Sequence, residues 1–125
     1  MERAGQLLIG QRRPGAVHAL KWEFPGGKVE AGESFDEALR RELREELEIE
    51  AGAIREVHRY EFAYPGKKPV LLVFLHVDGF GGEPVNRVFH ALAWSAYDAL
   101  ASYDFLEGDV PFLSWLASSD SFRRA

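Results

Sequence analysis

Apolar and polar residues along this chain change period several times, and each change marks an element. Gln6 to Gln11 reads as a short strand, followed by a loop over Arg12 to His18 that contains Pro14 and Gly15. Trp22 to Phe24 is a second short strand running into Pro25-Gly26-Gly27. From Ser34 to about Leu47 the period becomes helical, with Phe35, Leu39, Leu43 and Leu47 recurring as a core-facing stripe. Ser34 and Glu37 form the S-x-x-E pattern of a capping box at its start. Strand-like runs follow at Val57 to Tyr64, Val70 to Val77 and Phe89 to Trp94, with a hairpin turn at Pro65-Gly66-Lys67-Lys68. The tail predicts a helical turn around Tyr97 to Ala101 and a helix from Asp109 to Ala117, with Asp109 as N-cap two residues before Pro111. No repeat, low-complexity segment or linker interrupts the pattern. Strands enclosing one long helix, with a helix at the end, predict an α/β fold with a mixed sheet.

Length and composition narrow this picture. The chain has 125 residues, which fits a single domain spanning 1–125. Its 46% hydrophobic and 28% charged residues are the balance of a globular protein. With no cysteine, a bound metal would be held by oxygen or by histidine nitrogen. The cysteine count and the lack of a signal-like or membrane-spanning run point to a cytoplasmic protein without a membrane partner. A net charge of −5 argues against a nucleic-acid polymer as partner, because phosphate backbones are held by excess Lys and Arg. A small anionic substrate would need a bridging cation.

The long helix offers a place for one. At about 100° per residue the apolar stripe covers an arc of roughly 120°. Glu42, Glu45 and Glu46 lie along one edge of that arc, Glu46 partly inside it, while Glu37, Arg40, Arg41, Arg44 and Glu48 take the remaining polar face. Like charges three and four residues apart repel, more strongly as the dielectric falls. Mg²⁺, or Mn²⁺ in its place, would answer that repulsion with hard oxygen ligands. A solvated charged face is the ordinary reading of a Glu/Arg-rich run. The preceding loop changes the weighing, because Gly26 and Gly27 permit close backbone approach and Glu33 stands just before the helix.

Gly27, Glu33, Arg41, Glu42, Leu43, Glu45, Glu46 and Ile49 stand at the spacings of G-x5-E-x7-R-E-U-x-E-E-x-G-U, where U is a bulky aliphatic residue. In this the chain resembles the Nudix hydrolases. WEFPGGKVEAGE, and the tail from Asp104-Phe105 through Asp109 and Pro111, are similar to the MutT-like branch. The resemblance implies an α/β/α sandwich and hydrolysis of a nucleoside triphosphate to monophosphate and pyrophosphate, with 8-oxo-dGTP or a pyrimidine triphosphate as first substrates. It further implies that Glu42, Glu45, Glu46 and the Gly26 carbonyl bind the metal and that Arg41 orients the acids. Glu33 would support the loop and further metal. Arg13 would touch phosphate or base, Phe24 (with Trp22) would wall a base pocket, and Asp109 would read the base edge. Against these stand a solvated arginine, a core aromatic and a simple N-cap. His18, His58, His76 and His90 show no ligand-like spacing and read as structural.

Three departures from the family pattern are visible. Glu48 replaces the box glycine, which bears on the shape of the helix exit. The stretch Asn86 to His90 lacks the acid that many MutT-like enzymes carry there, leaving Glu83 and His90 as the nearest titratable groups. The first family strand is expected to be missing, since the chain starts too late to contain it. Either the start is truncated, or the bare sheet edge is covered by another segment or by a partner chain, giving a homodimer. Together these departures favour an alternative, a catalytically weak nucleotide-binding module, which the intact Glu42, Glu45 and Glu46 oppose.

Overall fold

A computed structural model describes residues 1–119, so the last six residues of the expected 1–125 domain lie outside it. The strands are β1 (Glu2–Arg3), β2 (Gln6–Gln11), β3 (Trp22–Glu23), β4 (Glu50–Phe62), β5 (Val70–Gly81) and β6 (Ala91–Ala96), and the helices are α1 (Phe35–Leu47) and α2 (Val110–Ser118). All six strands join one mixed sheet: β1 runs parallel to β5, and every other pair of these strands is antiparallel. β2 is its centre, with β6 along one side and both β1 and β3 along the other.

Alternation on β2 divides the core between the two faces. Leu8 joins Leu43 and Leu47 of α1, together with Ile49, Val77 and Phe89. Its neighbours Leu7 and Ile9 point the other way, to Leu100, Phe105, Phe112 and Leu116 under α2. The expected α/β/α sandwich follows directly, since each helix covers one apolar face of the sheet.

Helix α1 begins as its sequence dictates. Ser34 Oγ accepts from the Glu37 amide and the Glu37 carboxylate accepts from the Ser34 amide, at 3.1 and 3.0 Å. The stripe is shifted by one position at its first turn. Ala38 is buried there, whereas Phe35 is exposed and its ring lies under the Arg59 guanidinium at 5.3 Å. Arg40 fastens the other flank by donating to the carbonyls of Ala51 and Gly52 on β4.

The sheet differs from expectation in four places, the simplest being that β5 runs on to Gly81, past the expected end at Val77. A two-residue strand, Glu2–Arg3, fills the position expected to be bare, pairing with β2 on one side and Asp78 of β5 on the other. Strand β4 starts at Glu50, well before Val57, because its first half gains its strand character from pairing with β5 rather than from any alternation of its own. Strand β6 begins only at Ala91. The Asn86 side chain closes a turn by bonding both the amide and the carbonyl of Phe89, both at 2.8 Å, and the Phe89 ring turns inward against Gly10.

Glu48, at the C-cap, adopts the left-handed conformation with φ 56° and ψ 40°. The helix therefore leaves with the geometry a glycine would favour, at a steric cost to a residue with a Cβ. Outside it, Arg87 pairs with Glu48 at 2.8 Å, an exposed contact of small energetic weight. Glu48→Gly should raise the melting temperature by a few degrees, corresponding to about 1 kcal/mol. An unchanged or lower midpoint in a thermal melt would show that the Arg87 pair outweighs the backbone strain.

Candidate active site

Arg41 is the centre of the acidic region. Its Nε donates to Glu33 Oε2 at 2.8 Å, and its Nη2 donates to Glu33 Oε1 at 3.1 Å and to the Lys28 carbonyl at 3.0 Å. Its Nη1 reaches Glu42 Oε1 at 2.9 Å and Glu45 Oε2 at 3.4 Å. Each of the five guanidinium N–H donors thus has an acceptor. The fork on Glu33 ties the helix to the loop before it, and the Glu30 amide adds a further donor to Glu33 at 2.9 Å. Hydrogen bonds from Arg41 and from the Glu30 amide hold the Glu33 carboxyl below its ordinary pKa. Arg41 is itself raised, first by Glu33 and then by Glu42.

The glycine loop lies against the same acids. Gly26 N–H donates to Glu46 Oε1 at 3.2 Å. A Cβ on Gly27 would stand 2.6 Å from the Glu42 carboxyl, so no larger residue fits there without displacing that side chain. Glu42 is 16% exposed and Glu45 60%, so an open acid stands between two half-buried ones, Glu42 and Glu46. Burial, the neighbouring Glu42 charge and further Glu23 and Glu45 charges push Glu46 up to about 8, against the Gly26 hydrogen bond.

Beyond Glu46 opens a shallow cavity of about 210 Å³, lined by Arg12, Arg13, Ala16, Glu23, Val88, Phe89 and Glu46 itself. Arg13 is exposed at its wall. Arg12 donates to Glu23 at 3.0 Å and to the Val17 carbonyl at 2.7 Å, pinning the loop after β2. Burial raises Glu23 despite Arg12. Asp109 lies near Glu23, and burial followed by the Glu23 charge pushes it up to about 7, while the nearby Phe24 amide works the other way.

The NUDIX domain family matches residues 1–116. The chain belongs to the Nudix family. The CTP pyrophosphohydrolase of Escherichia coli is 38% identical over 113 residues, which cover 90% of this chain and 83% of that one. The 8-oxo-dGTP diphosphatase of Haemophilus influenzae is 40% identical over 101 residues, covering 81% and 74%. A solved MutT structure, from work on Aliivibrio salmonicida and Vibrio cholerae, superposes with a TM-score of 0.78 at 32% identity, covering 91% of this chain and 86% of that one. These relatives put the chain in the MutT-like branch, among the enzymes.

In this Nudix hydrolase the structure brings Gly26, Glu33, Arg41, Glu42, Glu45 and Glu46 together, with Arg13 on the cavity beside them. Among the described residues no three acids already converge as a metal cage. Glu42 is turned to Arg41 and Glu46 to Gly26. The donor set nevertheless suits a hard divalent cation: only oxygens, a mutually repelling trio, and a loop with no side chain at Gly27.

Other expected positions lie differently. Phe24 packs among Phe74, Phe105 and Phe112, so its ring belongs to the core under α2 as well as to the strand entering the site. Asp109 occupies the N-cap position of α2 but makes no capping hydrogen bond, because its backbone is already helical, with φ −89° and ψ −15°, rather than extended. Of the substitutes for the missing loop acid, Glu83 is 80% exposed and paired with Arg3, and His90 is exposed. Glu23 and Arg12 were not anticipated. A charged residue in a strand beside two aromatics was the only local signal for Glu23.

Metal-free protein should reveal the strain in this trio. Because Glu46 keeps its proton to a higher pH folded than unfolded, its contribution to stability is full below the ordinary glutamate range and is lost as pH rises through about 8. In chelator, the melting temperature should fall from pH 5 to 8, and Glu46→Gln should flatten that fall and melt higher at pH 8. A Glu46→Gln protein several degrees less stable at pH 8 would contradict the crowding.

Proposed function

We propose that this Nudix hydrolase is a divalent-metal-dependent nucleoside triphosphate pyrophosphohydrolase that releases monophosphate and pyrophosphate, with Mg²⁺ as the working ion and Mn²⁺ as a substitute. The observation that carries this is the ridge of Glu42, Glu45 and Glu46 held by Arg41 against the Gly26-Gly27 loop, at the mouth of a cavity with Arg13 on its wall. The first substrate candidates are 8-oxo-dGTP and pyrimidine triphosphates, in keeping with relatives named 8-oxo-dGTP diphosphatase and CTP pyrophosphohydrolase. The setting we assign is the cytoplasm, consistent with a cysteine-free chain and with the lack, among the described residues, of a helix long and apolar enough to cross a membrane.

Glu42, Glu45, Glu46 and the Gly26 carbonyl would hold the ion. When bound, it supplies charge neutralisation for phosphate oxygens and acidity for water. The chain's own residues do the rest. Arg41 does not reach outward to substrate; with its donors committed to Glu33, Glu42, Glu45 and Lys28 it positions the ligands. Arg13 supplies positive charge on the cavity wall for the polyphosphate or base. Phe24 backs the base pocket, and Asp109, free of any helix-capping duty, presents its carboxyl to the base edge. An acid that sits near neutrality both donates and accepts hydrogen bonds over the working pH range, which widens the set of edges it can read.

A panel of nucleoside triphosphates and diphosphate-linked nucleotides, assayed with and without Mg²⁺, tests this reading. Pyrophosphate should appear from triphosphates only when the metal is present. Turnover limited to nucleotide sugars or dinucleotides, or none at all, would overturn it. Glu46→Gln should fold normally and lose activity at least about a hundredfold; retention of more than half the activity would remove Glu46 from the metal site. Asp109→Asn should leave the fold intact and change the ranking of triphosphates by about tenfold or more, the effect of one misplaced base-edge hydrogen bond. An unchanged ranking would place base recognition elsewhere.

A further inference from the structure

Helix α2 is capped by a residue far away in the chain. The N-cap side chain ordinarily accepts from the N2 or N3 amide. Here the N3 amide, that of Phe112, donates to Tyr60 Oη at 3.2 Å across 52 positions of sequence. The same hydroxyl donates to the Gly108 carbonyl, so both its proton and a lone pair are used. Tyr64 Oη accepts from the Gly108 amide at 3.2 Å. A Cβ at position 108 would lie 2.7 Å from that oxygen, so the turn before Asp109 is pressed directly onto the two tyrosines.

Packing makes this clamp rigid. The Tyr60 ring stacks on Phe74 at 5.5 Å, and Phe74 stacks on Phe112 at 3.9 Å. Burial pushes the Tyr60 hydroxyl up to about 12, so it remains a donor throughout the working range. Tyr64 also touches the His18 ring at 4.8 Å, which joins the clamp to the loop that carries Arg12 and Arg13.

We propose that Tyr60 and Tyr64 are specificity-positioning residues: by bonding Gly108 and Phe112, on either side of Asp109, they fix the turn that carries its carboxyl, where substrate is read. The inference rests on the reading of Asp109 given under the proposed function. Without the Tyr60 hydroxyl, the Gly108 carbonyl and the Phe112 amide both lose their partner, and the turn between them, with Asp109 on it, is free to shift. A hydroxyl with a purely structural task would affect stability alone.

Tyr60→Phe removes one oxygen and keeps the ring, so it separates these cases. Measured as kcat/KM over the triphosphate panel, it should change the ratio between the two best substrates by about tenfold, mostly through KM, with kcat on the best substrate within about threefold. Tyr64→Phe should move the ratio in the same direction by a smaller factor, and it decides the matter by the same criterion if Tyr60→Phe does not fold. Leu116→Val, a change inside α2 away from the clamp, should lower the melting temperature and leave the ratio alone. In the double variant with Asp109→Asn, Tyr60→Phe should add no further change in ranking, because both act through one carboxyl. A Tyr60→Phe enzyme that melts lower but keeps the ranking overturns the inference. If Asp109→Asn still shifts the ranking in that case, the reading of Asp109 survives and only the tyrosine role falls; if Asp109→Asn is silent as well, both fall.

Discussion

Five hydrogen bonds from Arg41 join the loop before α1 to the acids along the helix, and the geometry of the candidate site depends on them. Carboxylates at positions 42, 45 and 46 of one helix repel each other, and nothing in helix geometry alone selects their rotamers. Arg41 fixes Glu42 and restrains Glu45 by charge-assisted bonds, while its fork on Glu33 fixes the loop whose Gly26 amide meets Glu46. A point charge on a flexible stem could balance the same acids electrostatically without setting their directions.

The sheet supports that arrangement from below. Leu43 and Leu47 sink into one face of β2, β5 and the segment after α1, so the acidic edge is set at a fixed height above the core. The loop between β5 and β6 is tied to the end of the same helix, through Val85 N–H to the Leu47 carbonyl at 2.8 Å and Arg87 N–H to the Glu46 carbonyl at 3.0 Å. On the opposite face, Phe105, Phe112 and Leu116 anchor α2. The backbone of Asp104 and Leu106 bonds Trp22, which draws the segment before α2 toward β3 and the cavity. Helix, loop and tail thus meet at one end of the sheet because each is pinned to a different strand.

Features encoded by near neighbours were legible in the sequence. The Ser34–Glu37 capping box, the Leu43 and Leu47 stripe and the acid spacing all involve residues within a few turns of one helix, and the structure forms them as read. What depends on distant pairing was not. The first half of β4 lacks alternation and becomes a strand through β5, and the two-residue β1 exists only between two longer partners. Asp109 looked like an N-cap because Pro111 follows it, yet the cap comes from Tyr60. Glu23 has no motif spacing that singles it out, and only the fold sets it among Arg12, Glu46 and Asp109. Phe35 fitted the apolar stripe by period but stays exposed at the first turn, where its contact is the Arg59 guanidinium of β4 rather than the core.

Mn²⁺ affinity of the wild-type protein and of Arg41→Lys, measured side by side by water-proton relaxation, addresses the central claim most directly. Lys keeps the charge and loses the fork, while every candidate metal ligand stays in place. Arg41→Lys should remain folded in a thermal melt and bind Mn²⁺ at least about tenfold more weakly, the scale of loss seen when a residue orienting metal ligands is removed. Equal affinity in the two proteins would contradict the account, because the acids would then hold the ion without the clamp.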